Sequence, residues 1–459
     1  LVILTPLILT RFSAEDIVVW YVFASILSMQ VVADMGFGTS FSRILSYAYG
    51  GATSLPSAGK TMEWASAKDP NWELIAVIRR AMQRIYQRVS LGFLVVMLGL
   101  GTWAVYHPIQ ESSTPERTWI AWLVILGASS VGLWGNQFSA CMIGLDKIAL
   151  QRRWEAVLSL LGLGLSIATV LLHGDLLVLI LISQSWTLVN VALNRWLCRQ
   201  VTKECPNPLR KEKPLSEVTT IVWSSAWRSG LGVAMSQGLI QVSGIMVAQL
   251  SSPGTAGSYL LAMRLVQSIS QFSQAPFYSK LPRLASLYAQ GEHAKLIRVA
   301  KNGMRLSYWV FATGCIGLGL VASWLLEKIG SNVDFVDPWF WVALCFAYYI
   351  ERYGAMHIQL YSITNHIVWH VANMASGTIF LLFSIGAYPF LKDYAFPLGM
   401  LAGNLGFYSW FSAMYSYRTF DLTFKRFEWD TSLPPLLVMA TCIIAVIAVY
   451  STGWWLPLK

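Results

Sequence analysis

Charge is scarce in this sequence. Only 12% of its 459 residues are Asp, Glu, Lys or Arg, about half of the roughly 25% usual for a soluble domain. With 55% hydrophobic residues, that shortage excludes a disordered chain and a nucleic-acid-binding domain. The six cysteines (Cys141, Cys198, Cys205, Cys315, Cys345 and Cys442) show no paired spacing. Most sit inside apolar runs, so they read as small core residues rather than bridges or metal ligands. No Gly-x-Ser-x-Gly elbow and no Gly-x-Gly-x-x-Gly turn occurs. Residues 54–61 imitate a phosphate-binding loop, but Ser54 stands where glycine is needed, no strand precedes it, and Pro70 limits any following helix. His366 and His370 are one turn apart without the Glu of the zinc-protease pattern. They read as interfacial side chains. The chain therefore reads as non-enzymatic, with no metal and no resident cofactor.

What the sequence has is long apolar runs. A membrane-crossing helix needs about 20 mostly apolar residues. Residues 307–326, 371–391 and 431–458 carry no charge. They are apolar all round, as lipid-facing or fully buried helices are. The predicted spans are 1–10, 16–46, 83–106, 118–143, 153–173, 176–197, 218–250, 255–281, 302–326, 338–362, 366–390, 394–417 and 433–456. The chain opens at Leu1 inside an apolar run, so the first helix is expected to begin upstream. Outside the spans, nearly every Lys and Arg falls on one face. The other face receives only Arg11, Arg117, Lys328, Lys392 and Lys459. Positive charge marks the cytoplasmic side, which predicts a multi-pass membrane protein with a cytoplasmic N-terminus.

The basic, proline-containing stretch after Arg195 divides the array. It predicts an N-terminal six-helix lobe (1–197), a cytoplasmic linker (198–217), a C-terminal six-helix lobe (218–417) and an additional helix (418–459). A weak repeat agrees with this division. Arg43-Ile-Leu-Ser46 followed by Gly51 recurs as Arg283-Leu-Ala-Ser286 followed by Gly291. Such a repeat is parallel, a common transporter plan. Between the second and third spans, the basic stretch 75–88 reads as an amphipathic helix on the cytoplasmic lipid surface.

Polar groups inside spans are costly and usually line a cavity or pair. Arg264, Gln267, Ser268, Gln271, Gln274 and Tyr278 recur at three- and four-residue spacing, on one face of the eighth span. Two readings are open: an interhelical hydrogen-bonded seam or a wet cavity. Arg228 lies near mid-bilayer in the seventh span, with Trp223 and Trp227 as interfacial anchors or sugar-stacking rings. Glu351 and Arg352 are neighbours in the tenth span. They point about 100° apart, so each needs a further partner. Glu351 is either paired across helices or an ion site, and Arg352 either paired or a phosphate contact. Asp34, within Asp34-Met-Gly-Phe-Gly, either binds a cation or proton or pairs with Arg43 two and a half turns on, the pairing being favoured. Its glycines allow close helix approach or a local break.

Glu15-Asp16 before an aromatic-rich helix, then Asp34-Met-Gly-Phe-Gly-Thr and Arg43, resembles the opening of the Wzx-type O-antigen flippases. These are polysaccharide exporters of the multidrug/oligosaccharidyl-lipid/polysaccharide (MOP) superfamily. Gly257-Ser-Tyr-Leu-Leu-Ala-Met-Arg264 with Pro282, and the turn Gly144-Leu-Asp-Lys147, are similar to other parts of that family. The resemblance covers 1–417, and the thirteenth span departs from it. It implies an all-α membrane fold, with two lobes in a V around a cationic central cavity. It also implies alternating access without ATP hydrolysis, moving a polyprenyl-pyrophosphate-linked oligosaccharide to the outer leaflet for surface polysaccharide. The implied partners are that lipid-linked oligosaccharide and the bilayer, with a glycan polymerase and chain-length machinery alongside and no nucleic acid.

The residue reading is compatible. A pyrophosphate cannot cross hydrocarbon uncompensated, and arginine is its forked, permanently charged partner. Arg228, Arg264, Gln267, Gln271, Gln274 and Arg352 are the candidate cavity residues, with Arg43 at the mouth. Asp34 and Glu351 are the candidate sites for H+ or Na+ coupling. A cation-coupled drug exporter of the same superfamily is the rival, but its cavity is expected to be acidic. A membrane-embedded glycan polymerase or ligase needs a sizeable outer loop, and the longest here is 107–117.

Overall fold

A computed structural model describes residues 4–52, 69–172, 174–203, 222, 223, 226, 227, 230–364 and 368–451. Among them the ordered elements are helical, with no strand. The chain divides into two compact units, Leu1–Gln249 and Leu250–Lys459.

The first unit contains α1 (Leu4–Arg11), α2 (Ala14–Ala33), α3 (Phe37–Tyr49), α4 (Trp72–Val96), α5 (Thr102–Glu111), α6 (Pro115–Gly144), α7 (Ile148–Leu171), α8 (Leu176–Val201) and α9 (Leu239–Leu250). Side-chain caps start several of them. Ser13 accepts from the Asp16 amide, Asn71 from Leu74 and Asp175 from Val178, satisfying donors the helix itself leaves open. A π-helical turn, Met97–Gly101, joins α4 to α5 into one run, Trp72–Glu111.

Two local features depart from the expected spans. The 16–46 span is broken between α2 and α3, where Met35 (φ 50°) and Gly36 (φ 71°) take left-handed backbone. The 75–88 stretch is not a separate surface helix. It is the first part of α4, and Ile75, Ile78, Met82 and Tyr86 are buried in one core with Phe37 and Phe41. Its apolar stripe meets protein rather than lipid. Of the expected 218–250 span, the described residues 230–249 belong to the first unit. A Cβ on Gly230 would lie 2.7 Å from that of Met35, and Gln249 donates to the carbonyl of Trp103 at 3.1 Å.

The second unit contains α10 (Pro253–Tyr278), α11 (Leu281–Ala289), α12 (His293–Ile329), α13 (Pro338–Ser362), α14 (Trp369–Leu391), α15 (Ala395–Gly403), α16 (Ser409–Phe420), α17 (Phe424–Trp429) and α18 (Leu433–Ser451). A π-helical turn, Asn404–Tyr408, joins α15 to α16. The last span is fastened to this unit: Tyr349 of α13 donates to the Ser432 carbonyl at 2.6 Å, and Lys301 of α12 pairs with Asp430. The glycine of each repeat copy, Gly51 (φ 91°) and Gly291 (φ 72°), takes positive φ just after a short helix, where a side chain would be strained.

Among the described residues eight helical stretches are long and apolar enough to cross a membrane, and one of them, Trp369–Phe420, takes in most of two expected spans. The expected spans 255–281 and 338–362 form as the long helices α10 and α13. They fall outside the eight because they carry the polar clusters.

Close approach of α3 to α6 rests on Gly144, where an added Cβ would lie 2.5 Å from that of Leu45 and 2.9 Å from the Ser42 carbonyl oxygen. Gly127 of the same helix has open space. Gly144→Ala should therefore lower stability by about 1–3 kcal/mol through overpacking, and Gly127→Ala should not. Thermal unfolding of the two purified variants in detergent checks this, and equal melting temperatures would refute it.

Candidate functional site

The second unit gathers most of the candidate residues. Arg264 and Gln267 lie half-buried on α10, with Ser270 and Tyr278 on the same helix. Tyr348, Glu351 and Arg352 face them from α13, and Tyr408 from the π-helical turn. Arg352 is 2% exposed. Its Nη2 donates to Ser270 Oγ, and Glu351 comes within 3.6 Å of the same nitrogen, beyond hydrogen-bond reach. Its Nε has no hydrogen-bond partner among the described residues. Arg264, Glu351 and Arg352 all act electrostatically on the Tyr348 hydroxyl, and Glu351, Tyr278 and Arg352 on that of Tyr408. Tyr408 reaches this position because Gly354 lacks a side chain: a Cβ there would lie 2.5 Å from its ring. Gln271 is exposed and Gln274 half-buried, one and two turns further along α10. Of the residues grouped by spacing on α10, Arg264, Gln267 and Tyr278 interact with α13.

The first unit holds a separate polar centre around Asp34, at the α2–α3 break. Its Oδ1 accepts from Tyr86 at 2.8 Å and from Asn136 Nδ2 at 3.4 Å, and its Oδ2 from the Gly38 amide at 3.1 Å. Arg43 is exposed, and among the described residues no ion pair joins it to Asp34. The favoured Asp34–Arg43 pairing is therefore replaced by neutral donors. The break turns the two side chains apart, and the turn to which Asp34 belongs supplies its own amide. Tyr86 and Asn136 escaped the sequence reading because they lie 52 and 102 residues from Asp34, with no local spacing to link them to it.

The Cys141 and Cys198 thiols lie 2.9 Å apart and buried in the core, and Cys315 and Cys345 are buried. Trp223 rests against Phe37 of α3, with ring centroids 5.9 Å apart. Arg228, the linker residues 204–217, the loop-like 54–61 stretch, Cys205 and His366 lie outside the described residues.

A further cluster was not foreseen. His357 of α13 has its Nε2 3.1 Å from Glu428 Oε1 and its Nδ1 2.6 Å from Ser416 Oγ. Tyr417 donates to Glu428 Oε1 at 2.6 Å, and Thr431 and Ser432 donate to Oε2. Both members of the His357–Glu428 pair are fully buried. Burial pushes the Glu428 carboxyl up. Hydrogen bonding and charge from His357, then the bonds of Ser432 and Tyr417, outweigh it and hold the group below the usual carboxylate range. Its charged partner His357 lies 71 residues away in sequence, so no local pattern announced the pair.

No protein-family model matches the chain, and no curated protein matches it in sequence. Solved structures do match in fold. One is an inward-facing multidrug resistance MATE family transporter of the MOP superfamily, at 10% identity and TM-score 0.68, covering 91% of this chain and 93% of the other. Another is the lipid II flippase MurJ in an inward closed conformation, at 9% identity and TM-score 0.61, covering 98% and 95%. An outward-facing MATE family transporter matches at 12% identity and TM-score 0.52, covering 91% and 95%. The chain has the all-α membrane fold of these transporters.

Removing His357 would leave the Glu428 carboxylate buried without its principal partner. His357→Ala should cost about 3–5 kcal/mol, read as a large fall in melting temperature in detergent; a change too small to resolve would refute the network's role. The depressed Glu428 group binds its proton less readily folded than unfolded, so its contribution is complete above the usual carboxylate range. It should be lost as pH falls through the lowered value, and the pH dependence of melting should shrink on that limb in Glu428→Gln.

Proposed function

We propose that this chain is a flippase that moves a polyprenyl-pyrophosphate-linked oligosaccharide from the cytoplasmic to the outer leaflet for O-antigen or other surface polysaccharide. The observation that carries this reading is Arg352. It is a buried guanidinium with an open Nε donor, flanked by Arg264, Gln267 and tyrosine hydroxyls; Glu351 stands 3.6 Å away, and among the described residues no carboxylate comes within hydrogen-bond distance. Such a group favours an anion with several oxygens. The fold is shared with a protein named as a lipid II flippase, which supports a lipid-linked substrate.

In this reading the pyrophosphate passes Arg43 and meets Arg228, Arg264 and Arg352, while Gln267, Gln271 and Gln274 serve sugar hydroxyls. Two lobes, 1–197 and 218–417, alternate access to opposite faces of the cytoplasmic membrane, with the N-terminus inside. Asp34 and Glu351 couple the cycle to H+ or Na+, and a glycan polymerase with chain-length machinery takes up the product. No step needs bond cleavage, so the protein is a transporter rather than an enzyme. A cation-coupled drug exporter is the second reading. It is favoured by the Asp34 centre, a carboxylate held by neutral donors at a helix break, and by the fold match to multidrug transporters.

Arg264→Ala and Arg352→Ala should each reduce surface-glycan display by about tenfold or more, the scale of losing a buried charged hydrogen bond, at unchanged membrane abundance. Display at the parental level in both variants, together with dye efflux by the parent protein, would favour the exporter instead. Glu351→Gln and Asp34→Asn should remove the response of transport to an imposed proton or sodium gradient. An undiminished response in both would take coupling away from these groups.

A further inference from the structure

Four arginines from two helices meet at the end of the first unit where the charge pattern places the cytoplasm. Arg79 and Arg80 come from the start of α4, and Arg195 and Arg199 from the end of α8. They surround a cavity of about 360 Å³ whose floor includes Gln137 and the Cys141–Cys198 pair. That size falls within the roughly 300–1,000 Å³ of ligand pockets. Arg195 is held over the Trp134 ring, 5.7 Å from its centroid. Among the described residues no carboxylate lines the cavity and none pairs with Arg80, Arg195 or Arg199. The residues around Asp34 take no part.

A second cavity of about 450 Å³ adjoins it and shares Trp134, Arg195 and Arg199. Its other walls are apolar: Val131 of α6, with Leu188, Val191 and Trp196 of α8. Val131, Leu188 and Trp196 are exposed on helices apolar enough to cross a membrane, so they face acyl chains. The arrangement is bipartite, with concentrated positive charge at one end, hydrocarbon-facing side chains along the other, and two tryptophans at the junction, where indoles sit at the headgroup level.

We propose that this pocket and groove form a binding site for an anionic glycerophospholipid of the cytoplasmic leaflet. Its phosphate lies among Arg79, Arg80, Arg195 and Arg199, and one acyl chain runs along Leu188 and Val191. Charge complementarity selects the headgroup, since the clustered guanidinium groups of Arg80, Arg195 and Arg199, with no ion pair among the described residues, favour an anion beside a low-dielectric region. The groove selects a lipid over free phosphate, which has no use for an apolar wall. The site is independent of the transported substrate and does not rest on the flippase reading.

Native mass spectrometry of the delipidated full chain tests it, with cardiolipin or phosphatidylglycerol against phosphatidylethanolamine as probes. The unaltered protein should retain the anionic lipids in preference, and Arg195→Gln/Arg199→Gln should cut that preference by about tenfold, given roughly one factor of several per basic side chain. Both arginines are exposed, so folding should survive. Leu188→Trp, which fills the groove, should weaken retention of anionic lipid without restoring selectivity for phosphatidylethanolamine. Equal retention of anionic lipid by the parent and the double variant overturns the proposal. So does competition by inorganic pyrophosphate as effective as that by lipid, which marks a free phosphate site. Displacement of phospholipid by an equimolar polyprenyl diphosphate also overturns it, assigning the pocket to the carrier lipid.

Discussion

An ionised group surrounded by hydrocarbon must be met by fixed dipoles or by an opposite charge, because water is not there to do it. Much of the specific structure in this protein follows from that constraint. The apolar helices supply area and little direction. Direction comes from the few places where a carboxylate or guanidinium has been set among them. Asp34 fixes Tyr86 and Asn136 in register with the broken second span. Arg352 ties α13 to Ser270 of α10. Glu428 draws together α13, α16 and the approach to α18.

These centres are solved in different ways. Asp34 and Glu428 are surrounded by donors that satisfy them. Arg352 is only partly satisfied among the described residues: one nitrogen is on a serine with Glu351 3.6 Å away, Tyr278 bonds the guanidinium, and Nε is unmet. A half-met buried donor is expensive unless something occupies it, and this separates a group that serves structure from one that awaits a ligand. The tyrosines around Arg352 suit the second purpose, since a phenol can donate to an incoming anion or turn to water when none is present.

The helical class and the position of most spans were legible in the sequence, because long uncharged runs such as 307–326 have few alternatives. The polar face of α10 was legible for the same reason, through its three- and four-residue period. The Asp34 environment was not. Arg43 lay at a plausible helical distance only if the span was straight, and the turn at Met35 and Gly36 made that distance irrelevant. The stretch 75–88 was misplaced because an amphipathic stripe looks the same whether lipid or protein covers it. Its cover, Phe37 and Phe41, lies more than a turn of the chain away in sequence. His357 and Glu428 are lone residues whose partnership exists only once distant helices have packed.

The attachment of the last span bears on how the protein could be shortened. Residues 418–459 carry none of the sequence motifs discussed above, and look dispensable in a linear view. Yet Glu428 fills a fully enclosed space beside His357 and Tyr417, and Tyr349 finds its acceptor at Ser432. Trimming the chain back to twelve spans would strip an imidazole and two phenols of their counterparts in a dry interior. The terminal segment is in effect a plug for the second unit, and its loss would be felt throughout α13.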